Sequence, residues 1–147
     1  MFPWDEWITA HLGVYDYLLR LVVACLCGAL VGLERTRQQK EAGLRTHLIV
    51  ALGSAMFMLV SLYAFPAGSA DLSRVAAGVA SGIGFLGAGV IFVRGASVRG
   101  LTTAAGIWVI SAVGLGIGAG MYTLGIVSSL ILFAAHLIFH KWTPGDL

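Results

Sequence analysis

The sequence is poor in charge, and poorest in negative charge. Only 11% of its 147 residues are charged, 59% are hydrophobic, and the mean hydropathy is +0.91. A soluble domain carries about 25% charged residues, so a water-facing surface is hard to build from this chain. Between Asp71 and Asp146 there is no acidic residue at all. The chain reads as a membrane protein. The gap also argues against a dedicated divalent-cation path, because magnesium prefers carboxylate, carbonyl and water oxygens and no acid falls mid-membrane. The net charge of +2 is too small to indicate nucleic-acid binding. Only two cysteines occur, Cys25 and Cys27. Two apart on a helix, they face different ways, which excludes a disulfide between them and leaves packing as their role. No basic n-region opens the sequence, so no cleaved signal peptide is expected.

What the sequence does have is long apolar runs. A spanning helix needs roughly 20 mostly apolar residues, and five segments qualify: Val14–Leu33, Leu48–Tyr63, Val75–Val93, Leu101–Ala119 and Tyr122–Phe139. The expected fold is an all-α polytopic membrane helix bundle with five transmembrane helices. A four-helix alternative merges the last two, which are separated only by a tight turn. Residues 1–13 form a short tail, 14–140 the transmembrane domain and 141–147 a second tail. Arg35, Arg37, Lys40, Arg45, Arg94, Arg99 and Lys141 fall on one side if five helices alternate. Basic residues stay cytoplasmic, which predicts the N-terminus outside and the C-terminus in the cytoplasm. Tyr15, Tyr17, Tyr63, Phe65 and Tyr122 gather at the predicted outer ends, as interfacial aromatics do.

Glycine is abundant, with 20 residues. Gly82, Gly84 and Gly87 spell G-x-G-x-x-G, the spacing that cradles a dinucleotide. The preceding run is too rich in Ala and Gly for a strand, and the ribose-binding acid about 20 residues on is missing. A nucleotide site is therefore not expected. Small residues at four-residue spacing instead let membrane helices approach closely. Gly28 and Gly32 form such a row on the first helix, Gly78, Gly82, Gly84, Gly87 and Gly89 on the third, and Gly114 and Gly118 on the fourth. These rows are expected to pack helices within a protomer or between protomers.

Ionisable groups near the membrane are candidate functional residues. Asp16 and Arg20 read as an i,i+4 pair snorkelling to the outer interface. Glu34 ends the first helix, where the dipole disfavours a carboxylate, so a basic partner is expected from Arg45, Arg94 or Arg99. Two helix starts on that side are alike: Gly43 to His47 and Gly100 to Thr103. Their threonines, Thr46, Thr102 and Thr103, are placed to cap free amides, and the paired starts could hold an anion or the Glu34 carboxylate. The same alignment matches Gly32 with Gly89, Arg37 with Arg94 and Ser54 with Ser111, a hint of two related hairpins. His136 and His140 read as interface anchors, since a metal would need a third ligand, and Trp108 reads as packing. The candidate cluster is thus Glu34, Arg35, Arg45, Thr46, His47, Arg94, Arg99, Thr102 and Thr103. No nucleophile–base pair or metal-ligand set can be assembled; neither catalysis, a cofactor nor a metal is expected. The expected partners are the lipid bilayer, a membrane protein and a second copy of the chain, and not nucleic acid.

The stretches G-A-L-V-G-L-E-R, A-G-L-R-T-H, S-G-I-G-F-L-G-A-G-V-I and V-R-G-L-T-T-A-A-G-I-W occur in that order. Together they resemble the bacterial MgtC/SapB family over about residues 16 to 140. The resemblance implies a multi-pass protein of the bacterial inner membrane. It implies roles in growth at low magnesium and survival in host phagocytes, with modulation of the proton-driven ATP synthase proposed for some members. It marks Glu34, Arg35, Gly43, Arg45, Thr46, His47, Gly82, Gly84, Phe85, Gly87, Gly89, Arg94, Arg99, Thr102, Thr103 and Trp108 as signature positions. The larger members carry a further soluble domain, so this sequence resembles the short, membrane-domain form.

Overall fold

The computed structural model describes residues 14–65, 71–94 and 97–140; the expected tails, 1–13 and 141–147, lie outside them. Five helices follow in order, α1 (Val14–Arg37), α2 (Leu44–Tyr63), α3 (Ser73–Gly89), α4 (Leu101–Gly118) and α5 (Tyr122–His140). A two-stranded antiparallel hairpin, β1 (Phe92–Arg94) and β2 (Ser97–Arg99), separates α3 from α4. Four helices are long and apolar enough to cross a membrane, all except α3. With 17 residues, α3 is about 25 Å long, somewhat less than the roughly 30 Å hydrocarbon core. The third segment thus ends at Gly89 rather than Val93. Val90 caps it, and Phe92 to Arg94 leave as a strand instead. Gly100 turns the chain back at φ +85°, and a Cβ there would run into the Val90 carbonyl oxygen.

The last two helices are separate. Gly120 takes φ +86°, and its N–H donates to Ile117 while Met121 donates to Gly116. This αL turn satisfies the end carbonyls of α4 and reverses the chain. Asp16 sits in the first turn of α1, and Arg35 and Arg37 in its last, as the macrodipole favours.

The core is small and apolar. Ala24, Cys27 and Val31 of α1 meet Ala51 and Ala55 of α2 and Ile110, Val113 and Ile117 of α4. Such small residues imply close backbones. A Cβ on Gly28 would lie 2.6 Å from the His47 carbonyl oxygen, and one on Gly32 would lie 2.7 Å from Leu44 Cα. On α4, a Cβ at Gly118 would lie 2.7 Å from the Ala55 oxygen, and one at Gly114 would strike that of Ala51. The rows on the first and fourth helices are therefore contact surfaces within the chain. The row on α3 is different. Gly78, Gly82, Gly84 and Gly89 face open space, and only Gly87 approaches a neighbour, Ala104. Ser54 and Ser111, matched in the internal alignment, share a 2.9 Å hydrogen bond across the α2–α4 contact. The outer surface carries Leu26, Phe57, Phe85, Trp108 and Ile131, all more than half exposed. Apolar exposure on this scale fits a lipid-facing surface.

Candidate functional site

Polar side chains collect at the two ends of the bundle. At one end Arg20 is buried, against the expectation of a snorkelling side chain. It does pair with Asp16, at 2.7 Å. Its guanidinium, however, turns inward and donates to the Gly118 carbonyl at 2.8 Å, which holds the end of α4. Tyr122 donates to Asp16, and Tyr63 lies against both Arg20 and Tyr17. Of the predicted outer aromatics Tyr17, Tyr63 and Tyr122 join a structural staple between α1, α2, α4 and α5, while Tyr15 and Phe65 are exposed.

The other end holds the candidate site. Glu34 and Arg35 end α1 only 4% and 3% exposed. The Arg35 guanidinium donates to both Glu34 carboxylate oxygens, at 2.6 and 3.0 Å, and to Gln38 at 2.9 Å. Among the described side chains the basic partner of Glu34 is thus its own neighbour, not Arg45 or Arg99. His47, one turn into α2, is fully buried, and its Nδ1 contacts the Gly43 carbonyl at 3.0 Å. His136 reaches in from α5, 7% exposed, with Nδ1 3.6 Å from a Glu34 oxygen. It is no interface anchor; the α5 helix turns it toward Glu34. His47 Nε2 and His136 Nδ1 have no hydrogen-bond partner among the described residues.

Gly106 of α4 makes this arrangement fit. A Cβ there would come within 3.4 Å of His136 Cε1 and 3.6 Å of His47 Nε2. Beside the imidazoles a cavity of about 290 Å³ is lined by Arg35, Gln38, Thr102, Gly106 and His136. A second, polar cavity of about 430 Å³ shares Arg35, Gln38 and Thr102 and adds Glu41, Arg99 and Thr103.

The remaining predicted residues divide. Arg45 and Thr46 are exposed on the first turn of α2, away from Glu34. Arg99 and Thr102 line the polar cavity, and the side chain of Arg94 lies outside what is described. Thr46, Thr102 and Thr103 cap neither helix, since Gly43 and Gly100 are the N-caps. Instead Thr36 accepts the Leu44 N–H at 2.8 Å, and buried Thr103 donates to Glu41 at 2.9 Å. Its own backbone amide and then the Thr103 hydroxyl hold the Glu41 carboxyl below its ordinary value. Among the described residues no three His, Cys, Asp or Glu side chains are placed to hold a metal.

Gln38, Glu41 and Gly106 are the site residues that sequence reasoning passed over, and His136 is the one it assigned to the interface. A histidine near a helix end reads as interfacial unless the facing helix supplies a glycine for it, and that facing is tertiary information.

Comparison with known proteins agrees with this architecture. Residues 21–143 match the MgtC family. The chain belongs to that family. Its relatives include "Putative magnesium transporter YhiD" of Escherichia coli strain K12, 47% identical over 135 residues, covering 87% of this chain and 62% of that protein. Protein MgtC of Salmonella typhimurium strain LT2 is 41% identical over 128 residues, covering 87% of this chain and 54% of the relative. The chain thus spans less than two thirds of the length of these curated MgtC-family relatives. No solved structure matches the chain. Family membership and the four apolar helices make it a multi-pass membrane protein.

Proposed function

We propose that the protein is a non-enzymatic regulator in the bacterial inner membrane, supporting growth when magnesium is scarce by modulating another membrane complex. The basic loops favour an N-terminus outside and the Glu34–Arg35–His47–His136 cluster on the cytoplasmic side. One observation carries the choice of regulator over transporter. Between that cluster and the Arg20 staple lies the apolar core of Ala24, Cys27, Val31, Ala51, Ala55, Ile110, Val113 and Ile117. The Ser54–Ser111 pair is satisfied within itself. A cation crossing this chain would have to shed its water against groups that offer nothing in return. The two cavities beside the buried polar cluster are where a partner can engage it. The proton-driven ATP synthase, which the family resemblance implies, is the first complex to test.

A second reading is a transporter of magnesium or another ion, favoured by the printed name of the Escherichia coli relative. Purified protein in liposomes, assayed for magnesium and proton flux across a pH range, separates the two. The regulator reading expects no flux above protein-free vesicles. Flux that is lost in Glu34→Gln would overturn it. In vivo crosslinking from Arg99 or Thr102 is expected to capture a membrane-protein partner.

A further inference from the structure

Besides the polar cluster, the bundle has a cleft of about 560 Å³ between α2 and α3, and its walls are almost wholly apolar. Ile49, Gly53 and Phe57 form one wall; Gly78, Gly82 and Leu86 form much of the other. A Cβ added at Gly53, Gly78 or Gly82 would meet nothing within 4 Å. The space is therefore a groove open to the bilayer, which the described residues leave unfilled.

The groove has a direction. Ile49 to Phe57 is eight residues, about 12 Å of helix, close to the roughly 15 Å depth of one leaflet. At one end the wall continues by a single helical turn to Arg45, four residues before Ile49 and on the same side of α2. Arg45 is exposed and has no hydrogen bond or ion pair with the described residues. It stands in the first turn of α2, where Thr36 already accepts the Leu44 N–H and Arg45 is left as the charge beside the groove. Fixed positive charge and a positive helix dipole thus sit together at the membrane edge of an apolar slot.

We infer that this groove binds one anionic phospholipid, with an acyl chain between α2 and α3 and the phosphate at Arg45. Charge complementarity decides the occupant. A transmembrane helix would fill the slot but has no reason to carry a negative group at Arg45's level. A phospholipid of that leaflet carries its phosphate at that level by construction. Lipid held there would brace α3, which buries only Ile83 and Gly87 in the bundle.

Native mass spectrometry of the protein from nanodiscs of mixed phosphatidylglycerol and phosphatidylcholine tests this. The wild type should retain one phosphatidylglycerol per chain after detergent stripping. Gly82→Leu sets its Cβ where nothing lies within 4 Å and carries the rest of its side chain into the groove, so it should lose that lipid while keeping wild-type helicity. Arg45→Gln should still retain lipid but lose about fivefold in preference for phosphatidylglycerol, one basic residue's contribution at a membrane surface. Equal retention of both lipids by the wild type would overturn the inference, as would unchanged retention in Gly82→Leu. So would a lipid-free wild-type dimer that Gly82→Leu breaks, which would assign the groove to a second copy.

Discussion

The Glu34–Arg35 pair offers the sharpest test of the site's energetics. Both side chains are buried, and the guanidinium meets both carboxylate oxygens and Gln38. Removing one partner of a buried pair leaves the other uncompensated, at a cost of about 3–5 kcal/mol. Arg35→Met should therefore destabilise the protein by that amount, a shift of roughly 10² to 10⁴ in the folding equilibrium. His136 is 3.6 Å from Glu34, too far for a direct bond that would replace the guanidinium. In Glu34→Gln/Arg35→Met no charge is stranded, and the loss should shrink to about 1 kcal/mol, near that of the lost Gln38 bond. A double-mutant cycle should then give a coupling of at least about 2 kcal/mol. SDS-titration unfolding in mixed micelles, followed by tryptophan fluorescence, measures each corner. If Arg35→Met alone cost under about 1 kcal/mol, the pair would behave as a water-exposed one and the reasoning would be refuted.

Other predictions concern the contacts around the site. Gly114→Ala drives a methyl against the Ala51 carbonyl oxygen and Ser54 and should cost about 1–3 kcal/mol; Gly116→Ala, two residues on and facing open space, should cost nothing by the same unfolding assay. Ser54→Ala and Ser111→Ala should couple by about 0.6 kcal/mol, the average for hydrogen bonds between membrane helices, and a coupling above 2 kcal/mol would contradict a simple hydroxyl pair. Glu41 is held below its ordinary value by its own amide and by Thr103. A depressed carboxyl adds stability above its unfolded value, about 4.3, and loses it as pH falls through the lower folded value. Thr103→Val should thus move the Glu41 NMR titration upward and lessen the destabilisation seen on acidification below about pH 4; an unmoved titration would mean that the Thr103 bond does not form.

Composition and periodicity were enough for the bundle because a bilayer imposes one rule on every segment. Each apolar run must satisfy its backbone internally, so it is a helix. The missing acids after Asp71, the tight Ala119–Gly120 turn and the basic loops are all readable without tertiary information. The end of α3 was not. Val90 to Val93 is as apolar as a helix, and only the left-handed Gly100, packed against Val90, shows that the chain needs room there to turn. Within the site, Glu34, Arg35 and His47 were legible as polar residues at membrane ends. Their partners were not.

The sequence by itself determined that this chain is a helical membrane protein, which family its motifs resemble, and which end of the bundle is basic. Only the tertiary structure decided which glycines are contacts and which are vacancies, since Gly28, Gly32, Gly114 and Gly118 meet backbone while Gly78 and Gly82 meet nothing. It alone decided that Glu34 pairs with Arg35 and that two imidazoles converge over Gly106. Spacing says which residues share a helix face; what that face meets depends on how neighbouring helices pack, and no local pattern encodes it.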